Sequence, residues 1–149
     1  MKLLAAALVT LVVATDFTGV WEYRQKNGDG FDRRGERLEI RGGAGGLTGV
    51  YHGLERMGEH GLYFSLVEVE DLKLSPDGVT FTVPARALYR RRPATLARAA
   101  RQESDGHTRD ELAMTGRLEA GRLVLRCAAP PGACPDEVMV FQKGRWRDR

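Results

Sequence analysis

Few residues in this chain could do chemistry, and their spacing restricts which chemistry. His52, Glu55 and His60 lie in YHGLERMGEH, and imidazole with carboxylate is a zinc-binding combination. The pattern H-x-x-E-x-x-x-x-H fits no helical ligand spacing, and Gly53 and Gly58 argue for a turn. A solvated hairpin end is expected there, with no metal. His107, in SDGHT, reads the same way. Ser65, Ser75 and Ser104 stand in no nucleophile-elbow context, and a hydrolase needs a nucleophile paired with a base. Glu68 and Glu70 alternate along one strand face and could act as acid and base, but carboxylates on an exposed strand face are commoner. The chain is read as a non-enzyme without a cofactor.

Arginine is the other chemical signal. Arg86, Arg90, Arg91, Arg92, Arg98 and Arg101 lie in one stretch that holds no acidic residue. Guanidinium forks suit phosphate and carboxylate, so the stretch is a candidate patch for an anionic surface or an acidic protein. No stacking aromatics interleave these arginines, which argues against nucleic acid. Cys127 and Cys134 are the only cysteines. They bracket AAPPGA, lack C-x-x-C spacing and have no histidine nearby. A structural disulfide is expected, of the order of 2–3 kcal/mol for a loop this short.

The elements that must position these residues follow a simple plan. Residues 1–14 place Lys2 before an apolar run and end in a V-x-A pattern, as a signal peptide does. The run is about half of the ~20 residues a spanning helix needs. Export to the periplasm or the outside is expected, with no transmembrane segment after cleavage. Residues 15–149 make one domain. A chain of 149 residues with 42% apolar content and mean hydropathy of -0.35 is neither a polytopic membrane protein nor disordered. A net charge of +3 is too modest to indicate a partner by itself.

Within that domain, residues 18–24, 37–41, 47–52, 79–83, 112–118, 123–127 and 138–142 read as short strands. The segment 62–74 is long and changes apolar parity near Leu66 and Val67, which predicts a bulge or bend. Gly42–Gly46, Pro76-Asp77-Gly78 and Glu119-Ala120-Gly121 read as turns. Residues 93–102 are Ala-rich behind Pro93, and predict a short helix or a long loop. The fold class is therefore all-β: an antiparallel, eight- to nine-stranded up-and-down barrel, with a two-sheet sandwich as the alternative closure.

Two motifs add a resemblance. Thr18-Gly19-Val20-Trp21 opens the first strand, and Gly46-Leu47-Thr48-Gly49-Val50-Tyr51 follows about thirty residues on. Together they resemble the calycin-type barrels, the lipocalins and more closely the avidins, over about residues 17–53. The resemblance implies that Trp21 is architectural and plugs one barrel end. It also implies a cation stacked over that indole from beyond the last strand, with Arg145 preferred to Lys143. Biotin binding does not follow. Tyr23 stands where a biotin binder has Asn, Trp146 is the only other tryptophan, and of that family's contacts only Tyr51 matches.

The expected role is a non-enzymatic binding protein that holds a small apolar or amphipathic molecule in the barrel. By strand parity Tyr23, Tyr51, Phe64, Phe81 and Met114 would line it. The alternative is an interaction module for an envelope protein, such as a hydrolase inhibitor acting through the arginine loop.

Overall fold

Successive side chains of a strand point to opposite faces, and GVWEY, ERLEI, GVTFTV, LAMTG and RLVLRC all alternate in this way. A computed structural model describes residues 17–23, 26–27, 30–31, 35–56, 61–131 and 133–144. The expected signal peptide, His60, Arg145 and Trp146 lie outside the described residues. The sheet has nine antiparallel strands. These are β1 (Gly19–Tyr23), β2 (Glu36–Gly43), β3 (Gly46–Arg56), β4 (Leu62–Glu68), β5 (Glu70–Ser75), β6 (Gly78–Val83), β7 (Leu112–Glu119), β8 (Arg122–Ala128) and β9 (Val138–Lys143). Two-residue ribbons pair Lys26–Asn27 with Gly30–Phe31 and Ala87–Leu88 with Gly106–His107.

The strand order is β4-β3-β2-β1-β9-β8-β7-β6-β5. Every pair of neighbours is consecutive in sequence except β1 and β9, which join the two ends of the chain through Trp21↔Lys143 and Glu22↔Gln142. The two edges, β4 and β5, are separated only by Val69, whose N–H donates to Gly49 O of β3 at 2.9 Å. They are two halves of one bent strand, so the sheet is a nearly closed barrel rather than a sandwich. The bend expected near Leu66 and Val67 falls just beyond them. Asp71 has a φ of 54°, and the β5–β6 register slips between Glu70 and Lys73.

The two ends of the barrel differ. Two-residue turns join β2 to β3, β5 to β6 and β7 to β8 at one end. At the other end the connections span 24–35, 57–61, 84–111 and 129–137. That end is the mouth. Between the ends the barrel is filled. Trp21, Leu38, Tyr51, Phe81, Met114 and Phe141 point inward and are no more than 3% exposed, each contributing about 1.5–3 kcal/mol by burial.

The 84–111 connection carries a short helix, α1 (Leu96–Arg101). It starts later than Pro93 because the Thr95 hydroxyl accepts the Arg98 N–H at 3.1 Å and caps it. Pro93 is buried ahead of the cap. The connection folds back over the outside of β3 and β4. Tyr89 forms a backbone bridge with Phe64, its hydroxyl donates to Ala99 O at 2.9 Å, and Leu66, Tyr89 and Ala99 form a small second core. No helix among the described residues is long and apolar enough to cross a membrane. Cys127 and Cys134 form a disulfide, which is compatible with an oxidising, extracellular or periplasmic setting.

Candidate functional site

The narrow-turn end is closed around Trp21. Its indole N–H donates to Phe17 O at 2.8 Å. Lys143 Nζ lies 4.4 Å from the indole centroid and donates to Thr18 O at 2.6 Å. Lys143 is thus the cation over this tryptophan, while the expected Arg145 is outside the described residues. Gly19 holds a φ of +125°, a backbone conformation that a side chain would strain, and the Lys143 side chain packs closely over it. The motif Gly-x-Trp therefore builds a lid.

The mouth is polar inside. On β2, Glu36 shares the inward face with Leu38 and Ile40, and on β3 Tyr51, Gly53 and Glu55 continue that face. Gly53 pairs with Ser65 of β4. A methyl at Gly53 would collide with Ser65 Oγ and come within 3.2 Å of Tyr51 Cε1. From the base of the long connection Arg86, 3% exposed, enters the mouth and forms an ion pair with Glu55. The Arg86 N–H donates to Thr108 Oγ1 at 3.0 Å. Tyr23 caps the opposite wall, its hydroxyl bonded to Asp136 and its ring 5.4 Å from Phe141.

Tyr51 Oη, Ser65 Oγ and Arg86 Nε are among the buried atoms there that have no hydrogen-bond partner among the described residues. Leaving such a group unpaired costs about 1–3 kcal/mol, so each calls for a guest or solvent. Burial, then the Glu36 and Glu55 carboxylates, hold the Tyr51 hydroxyl well above the usual phenol range, against a smaller opposing effect of Arg86. Burial and Asp136 raise Tyr23 too. Both phenols stay protonated and act as donors and acceptors.

A second feature lies outside the barrel, a groove of about 1010 Å³ between the sheet and residues 92–97. Its floor is a grid of cross-strand rows. Arg37, His52 and Leu66 form one row; Val20, Glu39, Val50 and Glu68 form the next; Arg41 and Thr48 form the third. Arg37 Nη2 lies 3.2 Å from Glu39 Oε1 and 3.1 Å from His52 Nε2. His52 is 3% exposed. Burial, then Arg37 and Arg92, push its pKa down to about 3, so the ring is neutral.

Of the five lining residues expected from parity, Tyr51, Phe81 and Met114 are inside the barrel core and Tyr23 is at its mouth. Phe64 is elsewhere. It pairs with Leu54 on the outward face, beneath the Arg92 guanidinium at 4.8 Å from its ring. The expected hairpin end around His52 and Glu55 is also corrected. Both lie within β3, Gly53 is a strand residue, and the connection covers His52. The arginine patch divides. Arg86 is buried in an ion pair, and Arg92 is half-buried and donates to Gly35 O at 3.1 Å. Arg90, Arg91, Arg98 and Arg101 remain exposed. Glu68 and Glu70 are exposed on either side of the bend. Sequence reasoning missed Glu36 and the mouth role of Ser65. Continuing the Leu38–Ile40 alternation back by two residues would have found Glu36.

No family model matches the chain, and neither a curated protein nor a solved structure matches it.

Proposed function

We propose that the chain is an exported, non-enzymatic binding protein that holds the polar end of a small amphipathic molecule at the barrel mouth. The observation that carries this is the cluster of Tyr51 Oη, Ser65 Oγ and Arg86 Nε, buried and without hydrogen-bond partners among the described residues, at the end with the long connections. Phenol, hydroxyl and guanidinium offer donors, and Glu36 and Glu55 add carboxylate acceptors nearby. Such a set of convergent polar groups fixes the orientation of a guest. Because the barrel is filled below, the guest is small and its apolar part points outward. The calycin-like motif pair and the disulfide support an exported barrel of this kind.

The test is a thermal-shift screen of small amphipathic compounds, with stoichiometry by native mass spectrometry. A one-to-one ligand is expected, with affinity falling about tenfold for each lost hydrogen bond in Tyr51→Phe and Ser65→Ala. Ligands that bind both variants as tightly as the parent would sink the reading.

A second reading rests on the four exposed arginines of the long connection: an acidic envelope protein as partner. Replacing Arg90, Arg91, Arg98 and Arg101 by serine would abolish capture of such a partner. An unchanged set of captured proteins would dismiss it.

A further inference from the structure

The outer face of β9 differs from those of its neighbours. β7 turns Thr115, Arg117 and Glu119 outward, and β8 turns Arg122, Val124 and Arg126 outward. β9 begins Val138-Met139-Val140-Phe141 and is apolar on both faces. Met139 and Phe141 are buried in the barrel, whereas Val138 and Val140 point outward and are 41% and 40% exposed. A continuous apolar run is the pattern of a strand covered on both sides. Among the described residues nothing covers this one.

Cross-strand pairing enlarges the patch and sets charge around it. Val124 of β8 pairs with Val140, and Arg126 pairs with Val138. Leu123 pairs with Phe141, so Arg122 stands beside Gln142 on the outer face. From the other side Glu22 of β1 pairs with Gln142. One outer row therefore reads Arg122, Gln142, Glu22, next to the three valines. Arg117 is held by Glu119 at 2.6 Å, but Arg122, Arg126 and Glu22 form no ion pair among the described residues.

The charge on this face is self-complementary. Neighbouring strands lie about 4.8 Å apart, so Arg122 and Glu22 stand at equal distances on opposite sides of β9. An isologous contact requires that arrangement, because a two-fold axis exchanges the two sides. With the axis along β9 between two facing sheets, Val138 and Val140 each meet their own counterparts. Arg122 of each copy then faces Glu22 of the other, twice by symmetry. We propose that this face joins two copies of the chain, with the valines at the centre and the Arg122–Glu22 pairs at the rim. The axis follows the strands, so both barrel mouths open at the same end. The apolar patch is small beside a standard interface of about 800 Å² per partner, so the dimer is weak and concentration-dependent.

Sedimentation equilibrium of the purified chain, over about 10–500 μM, tests this. A monomer–dimer equilibrium is expected. Val140→Asp should raise the dissociation constant at least tenfold. Arg122→Glu or Glu22→Arg alone sets like charges together at two symmetric points and should raise it at least fivefold. The two substitutions combined restore opposite charges and should return the constant to within about twofold of the parent. Arg122 is exposed, so the charge swap keeps the test valid if Val140→Asp disturbs the strand. Tyr51→Phe with Ser65→Ala lies inside the mouth and should leave the dimer unchanged. A single species with the mass of one copy at every concentration would overturn the proposal. So would a dimer as tight in Val140→Asp as in the parent, or a charge swap no tighter than its single variants.

Discussion

At the scale of single residues, burial decides what each titratable group can do. His52 is ordinarily protonated below about pH 6.5. In the folded chain its pKa is pushed down to about 3, by burial first and then by Arg37 and Arg92. Above pH 6.5 the ring is neutral in both states and has no effect on the pH dependence of stability. Between 6.5 and 3 the unfolded chain takes up a proton that the folded chain refuses. Stability therefore falls with falling pH, by up to ~1.4 kcal/mol per unit from this residue. Urea titrations at pH 7 and pH 4.5 should show a loss for the parent about 2 kcal/mol greater than for His52→Gln. Identical losses would mean that the ring is already solvated. Arg86 makes a second expectation. Removing its partner leaves a buried cation unpaired, so Glu55→Gln should cost about 3 kcal/mol, somewhat less than a fully buried pair because Glu55 is partly exposed. Replacing both residues together, Glu55→Leu with Arg86→Met, should recover most of that loss. Thermal melts of the parent and the two variants decide it.

At the scale of elements, the disulfide and the long connection are the informative pieces. The Cys127–Cys134 bridge closes a loop with a sequence separation of 7, between β8 and β9. Replacing both cysteines by serine should lower stability by about 2–3 kcal/mol, read as a shifted urea midpoint with an unchanged slope. No shift would mean that the loop is already fixed by other contacts, such as the Tyr23–Asp136 bond.

Elements also show what was legible in the sequence. Strict alternation in 79–83, 112–118 and 123–127 located β6, β7 and β8, because one face of each is core and the other is solvent. The parity change near Leu66 located the bend between β4 and β5. Alternation misled at Phe64, and Gly53 and Gly58 misled at His52 by suggesting a turn. Residues 84–111 cover the outer face there, so outward side chains are buried too, and apolar character no longer marks the inside. That cover depends on a bridge between Tyr89 and Phe64, a contact between separated segments that no local pattern encodes. The inward polar set at the mouth was hidden for the opposite reason: Glu36, Ser65 and Arg86 are types that normally mark the surface.

At the scale of the molecule, the barrel has one end of short turns and one end of long connections. Two-residue turns and the Trp21–Lys143 lid close the first, apolar side chains fill the middle, and uncompensated polar groups collect under the long connections. Substituting the lid should affect stability without touching ligand binding. Lys143→Met is expected to cost about 1 kcal/mol and to leave the affinity of any mouth ligand unchanged; a fall in affinity would link the two ends.

The central claim is that Tyr51, Ser65 and Arg86 form the polar anchor for a guest. A crystal structure at atomic resolution, from protein purified without denaturation, tests it most directly. Density for a bound molecule or ordered solvent within about 3 Å of Tyr51 Oη, Ser65 Oγ and Arg86 Nε is predicted. The claim is contradicted if these atoms are hydrogen-bonded to the protein itself and the mouth between them is empty.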